Sequence, residues 1–168
     1  MAMTNILLTG SSRGIGAAIA QSLAIDGVTL MGHGTASGIA ADFADPAAPA
    51  KLWATALDRF GGRIDILINN AGVFEANPID GDAGDWAAGW ARTMQINLTA
   101  SAALCRLAVL HWRSAGRGGR IVNIASRAAY RGDSPDHWHY AASKAGMVAM
   151  TKSIARGYAR DGILAFAI

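Results

Sequence analysis

Short runs of consecutive apolar residues alternate along this chain with stretches in which apolar positions recur every three to four residues. Residues 5–9 form an apolar run cut off by Gly10, and Ile15, Ile19 and Leu23 then recur at helical spacing as far as Asp26-Gly27, which predicts strand, turn and helix in that order. A second run at 28–31 stops at Gly32, and 39–43 predicts a short third strand. Between Asp45-Pro46 and Gly61-Gly62 a helix is predicted, with Pro46 and Pro49 in its first turn and Leu52, Trp53, Ala56, Leu57 and Phe60 behind them. Residues 64–68 are continuously apolar, as in a parallel strand buried on both faces, and end at Asn69-Asn70-Ala71-Gly72. After a loop at 74–84, an Ala/Leu-rich pattern from Asp85, the expected N-cap, to Ser114 predicts a helix of about 30 residues; it would span about 45 Å at 1.5 Å per residue, so a bend or break is expected near 97–99. A buried-type strand at 120–125, a polar loop at 127–137, a helix at 138–160 and a last apolar run at 163–168 follow.

Strands that alternate with helices pair in parallel through crossovers, so the fold class is α/β, a doubly wound, Rossmann-like parallel sheet with helices on both faces. One crossover is irregular. Only residues 34–38 separate the second run from the third, fewer than the ten or so that a helical crossover needs, so the helix between strands 2 and 3 is expected to be missing. Gly34 and Gly38 would let the chain reverse tightly there.

Composition narrows the picture further. With 168 residues, 52% of them hydrophobic and 16% charged against a usual ~25%, the chain fits one compact domain, 1–168. Cys105, its single cysteine, excludes a disulfide framework and fits a reducing compartment. The formal charge of +3 comes from twelve Arg and three Lys against eleven Asp and one Glu. These basic residues are scattered singly, which argues against a nucleic-acid partner, since consecutive phosphates need clustered charge. No uncharged apolar stretch reaches the ~18 residues of a membrane span and the first ten residues lack a basic signal-peptide start, so no membrane role and a cytoplasmic location are expected.

Two groups of residues carry candidate chemistry. Residues 9–16, TGSSRGIG, join the first strand to the first helix, where free N–H groups and the positive end of the helix can receive a pyrophosphate; Gly10, Ser12, Arg13, Gly14, Ile15 and Gly16 are the candidate contacts. An acid that would accept from the adenosine 2′-hydroxyl is missing from Met31-Gly32-His33-Gly34, while Arg13 could pair with a 2′-phosphate, so NADP is favoured and NAD remains possible. The turn taken alone is also compatible with a tight connection that holds no ligand. In the second group, Tyr140 and Lys144 stand at i and i+4 on one helix face, and Ser126 follows the carboxyl end of a strand on the same sheet edge as the glycine turn. A phenol with a reference pKa near ~10 must shift by about three units to serve near neutrality, and a neighbouring ammonium and a cationic nicotinamide both act in that direction. Ser126 could donate to a substrate oxygen.

Together, TGSSRGIG, NNAG at 69–72, Asn97, Ser126 and YAASK at 140–144 resemble the short-chain dehydrogenase/reductase family in order and spacing, from Thr4 to the last residue. The resemblance implies an oxidoreductase that transfers a hydride between nicotinamide and a small carbonyl or alcohol substrate. Its catalytic tetrad would be Asn97, Ser126, Tyr140 and Lys144, with Asn97 supporting a water-linked relay to Lys144. It further implies that Tyr140 and Lys144 bind the nicotinamide ribose, that Asp42 contacts adenine, and that Asn70, Ala71 and Gly72 brace the sheet beside the cofactor. A homodimer or homotetramer built through helices 85–115 and 138–160 is expected. Family members continue beyond the last run with a Pro-Gly turn, a lid, a helix and a final strand. Because every earlier motif is intact, the chain is expected to be part of a longer protein rather than a truncated, inactive product. Other readings fit less well. Ser126 lacks the flanking glycines of a hydrolase nucleophile elbow, and Asp136, His137 and His139 lack a well-spaced further metal ligand, so no metal is expected. A binding or regulatory protein that kept the fold without turnover is the remaining alternative.

Overall fold

A computed structural model describes residues 3–34 and 38–168. In chain order it contains β1 (Thr4–Thr9), α1 (Gly14–Ser22), β2 (Val28–His33), α2 (Ala48–Arg59), β3 (Ile66–Asn69), α3 (Ala83–Met94), a π-helical turn (Gln95–Thr99), α4 (Ala100–Ser114), β4 (Gly119–Asn123), α5 (Ala128–Arg131), a 3-10 turn (Pro135–His137), α6 (Trp138–Tyr158), a second 3-10 turn (Ala159–Asp161) and β5 (Ile163–Ala167). The strands form one parallel sheet in the order β2-β1-β3-β4-β5. From β1 the chain moves to β2 on one side and then returns to β3 on the other, which opens a crevice over the carboxyl ends of β1 and β3.

The continuous apolar runs are explained by burial on both faces. Leu7, Leu67 and Ile121 point into one core with Leu52, Trp53 and Ala56 of α2 and Leu104, Ala108 and Trp112 of α4. Ile6, Leu8 and Ile68 point the other way, against Ile19, Ala20 and Leu23 of α1. The register Ile68↔Val122↔Phe166 puts Phe166, and with it Leu164 and Ile168, on this second face, where they are 48%, 42% and 74% exposed. At the opposite end of the sheet Trp112 is fully enclosed and its indole Nε1 donates to the Ile64 carbonyl at 2.7 Å. A side chain at position 119 would overlap the Trp112 ring, so glycine there lets α4 lie against the start of β4.

Several expectations need correction. The helix expected from Asp85 to Ser114 starts at Ala83, capped by Asp82, whose Oδ1 accepts from Gly84 N at 2.7 Å and Asp85 N at 3.1 Å. Asp85 instead lies in the first turn, where its charge complements the helix dipole. No break follows near 97–99. A π turn takes its place, with Ala100 N bonding Gln95 O, so one extra residue is absorbed and the helix runs on. The third strand at 39–43 reduces to a single bridge, His33↔Ile39, closed by Ile39 N to Gly32 O at 3.0 Å. A return this short brings the chain back beside β2 for one residue, after which Asp42 Oδ1 accepts from Ala44 N and turns it away. Of the segment expected to carry no helix, residues 35–37 lie outside the described residues, while Gly34 and Gly38 are non-helical. The polar loop at 127–137 contains α5 and a 3-10 turn. The helical run Ala83–Ser114 is long and apolar enough to cross a membrane by composition, but half of its most apolar window is buried inside the fold.

Trp112→Ala removes the largest enclosed side chain and its hydrogen bond, and the expected loss is about 3–5 kcal/mol of folding free energy. Urea unfolding measures it; a loss below about 1 kcal/mol would mean that the site collapses around the gap.

Candidate active site

The crevice is built on the end of β1. Thr9 Oγ1 accepts from Asn70 N at 2.9 Å and Ala71 N at 3.0 Å, and Asn70 Nδ2 donates to Thr9 O at 3.1 Å and Gly10 O at 2.9 Å. These four bonds tie the glycine turn to the end of β3. Gly10 turns the chain with a φ of 67°, and a Cβ at Gly16 would overlap Gly10 O, so the helix can start this close to the strand only with glycine there. Arg13, at the N-cap of α1, is extended and no side chain caps the helix, so its first N–H groups remain available to an anion. Gly10, Ser12, Arg13, Gly14, Ile15, Gly16, Asp42, Asn70, Ala71 and Gly72 all line one groove of about 510 Å³. Ile15 is 65% exposed along it rather than buried with Ile19 and Leu23, because the first turn of α1 overhangs the groove.

At the far end of the groove stand Ala41, Asp42 and Phe43, held by His33. The buried imidazole stacks on Phe43 with ring centres 4.5 Å apart, and its Nε2 lies 2.9 Å from Ala41 O. A carbonyl can only accept, so Nε2 carries the proton and Nδ1 accepts from Gly10 N at 3.4 Å. Burial pushes the His33 pKa down, which keeps this neutral form.

The second cluster lies at the ends of β3 and β4. Lys144, 4% exposed, donates from Nζ to Ile124 O at 2.8 Å and sits 5.8 Å from the centre of the Tyr140 ring. Ser126, half-buried just past β4, accepts from Ala128 N at 3.1 Å. Asn97 lies in the π turn, fully buried: its Oδ1 accepts from Val73 N at 2.8 Å and its Nδ2 donates to Val73 O at 2.9 Å. It therefore braces the strand end that leads into the site, and a side chain at Gly72 would press on Asn97 Oδ1 and come into contact with Lys144 Nζ. Ser143 Oγ, which receives Asn97 Nδ2 at 3.3 Å, donates to Tyr140 O at 2.7 Å and so links the brace to the first turn of α6.

Thr9, His33 and Ser143 were not singled out by the sequence. Thr9 and His33 act by bonding backbone distant in the chain, and only their position at strand ends facing the glycine turn pointed to them, whereas Ser143 joins the Asn97 side chain to the nearby Tyr140 carbonyl. Of the Asp136, His137 and His139 group, His137 stacks on Phe74 at 3.9 Å and pairs with Ser134 at 2.7 Å, while His139 is buried, with its ring 6.3 Å from that of His137 and 6.5 Å from that of Trp90. Among the described residues no group of three or more His, Cys, Asp and Glu could hold a metal. Burial pushes the Cys105 thiol up to about 12, so it is an inert core residue.

A parallel sheet with a glycine turn at its switch point and polar side chains gathered at the same strand ends is the Rossmann class of dinucleotide-binding fold. The short chain dehydrogenase family pattern matches residues 30–168, and the chain belongs to the short-chain dehydrogenase/reductase family of NAD(P)-dependent oxidoreductases. It is 35% identical to the 3-oxoacyl-[acyl-carrier-protein] reductase FabG of Vibrio cholerae, over 94% of this chain and 68% of that protein. It is 32% identical to 3beta-hydroxysteroid dehydrogenase 1 of Eggerthella lenta, over 97% of this chain and 68% of that one. The crystal structure of a short chain dehydrogenase from Mycobacterium smegmatis superposes with a TM-score of 0.85 at 26% identity, covering 99% of this chain and 74% of that one. The chain thus spans about two thirds of the length of the curated relatives it matches.

Burial pushes the Lys144 ammonium down from an ordinary 10.5 to about 8. Between pH 8 and 10.5 the folded chain has released this proton while the unfolded chain keeps it, so stability from this group rises with pH across that window and is flat on either side. The rise is on the order of 3 kcal/mol at about 1.4 per pH unit. Lys144→Met should abolish it: the difference in unfolding free energy between wild type and variant is expected to change by that order from pH 8 to 10.5. A difference that stays constant would contradict the buried charge.

Proposed function

We propose that residues 1–168 form a single dinucleotide-binding catalytic domain of an NADP-preferring reductase or dehydrogenase acting on a carbonyl or alcohol group. The observation that carries this reading is the position of Lys144 Nζ between Ile124 O at 2.8 Å and the Tyr140 ring at 5.8 Å, next to Gly72, which lines the groove. A bound nicotinamide supplies or accepts the hydride. In the reducing direction Ser126 donates to the substrate oxygen and holds its carbon in place, and Tyr140 delivers a proton to that oxygen. Lys144 offsets the negative charge that develops on the Tyr140 oxygen as the proton leaves, and binds the nicotinamide ribose together with Tyr140. Asn97 positions the Val73 backbone and, through its own helix turn, supports a water-linked proton path to Lys144. At the other end the free N–H groups of α1 and the Arg13 guanidinium take the phosphates, and Asp42 faces the adenine.

Arg13 is exposed at the groove, and no carboxylate stands at 32–34 to select an unmodified ribose, which supports NADP over NAD. For assembly, a second cavity between α4 and α6, lined by Val109, Leu110, Met150, Ile154 and Tyr158, leaves an apolar helix face suited to a homodimer or homotetramer.

Tyr140→Phe is expected to abolish NADPH-dependent reduction of ketones and aldehydes while leaving NADPH affinity within a few fold, since only the hydroxyl is lost; Lys144→Ala should impair both. Steady-state kinetics and fluorescence titration decide this, and substantial turnover by the Phe variant would overturn the tyrosine assignment. Dinucleotide binding by the wild type with no turnover on any carbonyl would instead favour a binding protein. For coenzyme choice, Arg13→Ala is expected to lower the preference for NADPH over NADH by about 10- to 150-fold, the range of one charge-assisted contact. Equal dissociation constants for the two coenzymes in the wild type would contradict it.

A further inference from the structure

We propose that Arg92 is a further cofactor-binding residue, whose guanidinium leaves Glu75 and takes the adenine ring when a dinucleotide enters the groove. This rests on the reading of the groove as a dinucleotide site. Arg92 and Ile96 line the groove one helical turn apart, on a wall formed by the end of α3 and the π turn rather than by the glycine turn. Between them in sequence, Gln95 Nε2 donates to Phe43 O at 3.2 Å, which fixes this wall against the 41–43 strip. The two walls therefore meet beside Phe43, next to Asp42.

The state of Arg92 suits a group that changes partner. Its Nε meets Glu75 Oε2 at 3.2 Å, and the two side chains are 47% and 50% exposed. A solvent-exposed ion pair of this kind costs little to give up, because water replaces much of what each partner loses. A guanidinium is planar, stacks on aromatic faces and donates to ring nitrogens, and adenine offers both a face and acceptor nitrogens. The phosphates have another host, the uncapped start of α1 with Arg13. Ile96 would pack on the ring from the same helix, so base recognition would combine an apolar contact with a cation.

The test uses four probes on wild type, Arg92→Gln, Arg92→Lys and Glu75→Gln. NADPH and NADH are titrated directly by fluorescence, and ADP and inorganic pyrophosphate are measured as competitors of NADPH. In Arg92→Gln the affinities for NADPH, NADH and ADP are expected to fall by the same factor, about 5- to 20-fold, with pyrophosphate unchanged. Arg92→Lys should recover only part of this, because the stacking plane is absent. Glu75→Gln, which frees Arg92, should bind all three adenine probes at least as tightly as wild type. A loss confined to NADPH would move Arg92 to the 2′-phosphate, an equal loss for pyrophosphate would move it to the diphosphate, and unchanged binding of all probes would remove it from the site; each overturns the proposal. Failure of the wild type to bind any dinucleotide would be a different result, since it removes the proposed function rather than the role of Arg92 within it.

Discussion

The side chain of Asn70 makes two hydrogen bonds, to Thr9 O and Gly10 O, and Thr9 returns two more by accepting the backbone N–H groups of Asn70 and Ala71. Everything that makes the crevice useful depends on this clasp. Parallel strands end with their last backbone groups unpaired, and here two neighbouring ends satisfy one another instead of recruiting water. The glycine turn is thereby fixed directly over β3, and the free N–H groups of α1 are aimed into the groove. The same crowding explains the glycines: a methyl group at Gly16 would meet Gly10 O, and one at Gly10 would crowd Ala71 and Asn70.

The end of the site that holds Lys144 and Asn97 is assembled in the same way, with buried polar side chains bonded to backbone at strand ends. Lys144 bonds Ile124 O, and Asn97 takes both backbone groups of Val73. Beneath them Asn69 bonds Asn123 at 2.8 Å, and Asn123 bonds Thr151 of α6 at 2.8 Å, so β3, β4 and α6 share one buried network. Asn69 Oδ1 is left without a protein partner in this network, while the bonds that Asn69, Asn123 and Thr151 do make tie the three elements together in one arrangement. The π turn belongs to this scheme, since it adds a residue where Asn97 must reach across to Val73. Lys144 stands apart, because burial acts on its charge without a carboxylate to offset it.

Strands and most helices were legible because parallel strands buried on both faces read as unbroken apolar runs and the helices carry an apolar stripe. The candidate site was legible for a related reason: its residues stand at strand ends or on one helix face, positions that local pattern defines. What local pattern could not supply was the outcome of competition between neighbours. Asp82 and Asp85 are equally good caps in sequence, and only the path out of the 74–82 loop selects Asp82. The run at 39–43 has strand-like composition but room for one bridge. His33 looked like the end of a strand and also pins the glycine turn to the 41–43 strip, because its partners Gly10 and Ala41 come from segments that converge only in the fold. Arg92 was one of many scattered arginines until the helix carrying it was placed beside Phe43.

The central claim is that the groove over β1 and β3 is a dinucleotide site whose phosphate end is the start of α1. Backbone amide chemical shifts of the isotope-labelled protein, followed during titration with NADPH, test it most directly. The account predicts saturable shifts at Gly14, Ile15 and Gly16, at Asp42 and Phe43, and at Ala71 and Gly72, with β5 and the outer face of α4 unaffected. Saturating NADPH that leaves the amides of the glycine turn unmoved, or that shifts only residues away from the groove, would contradict it.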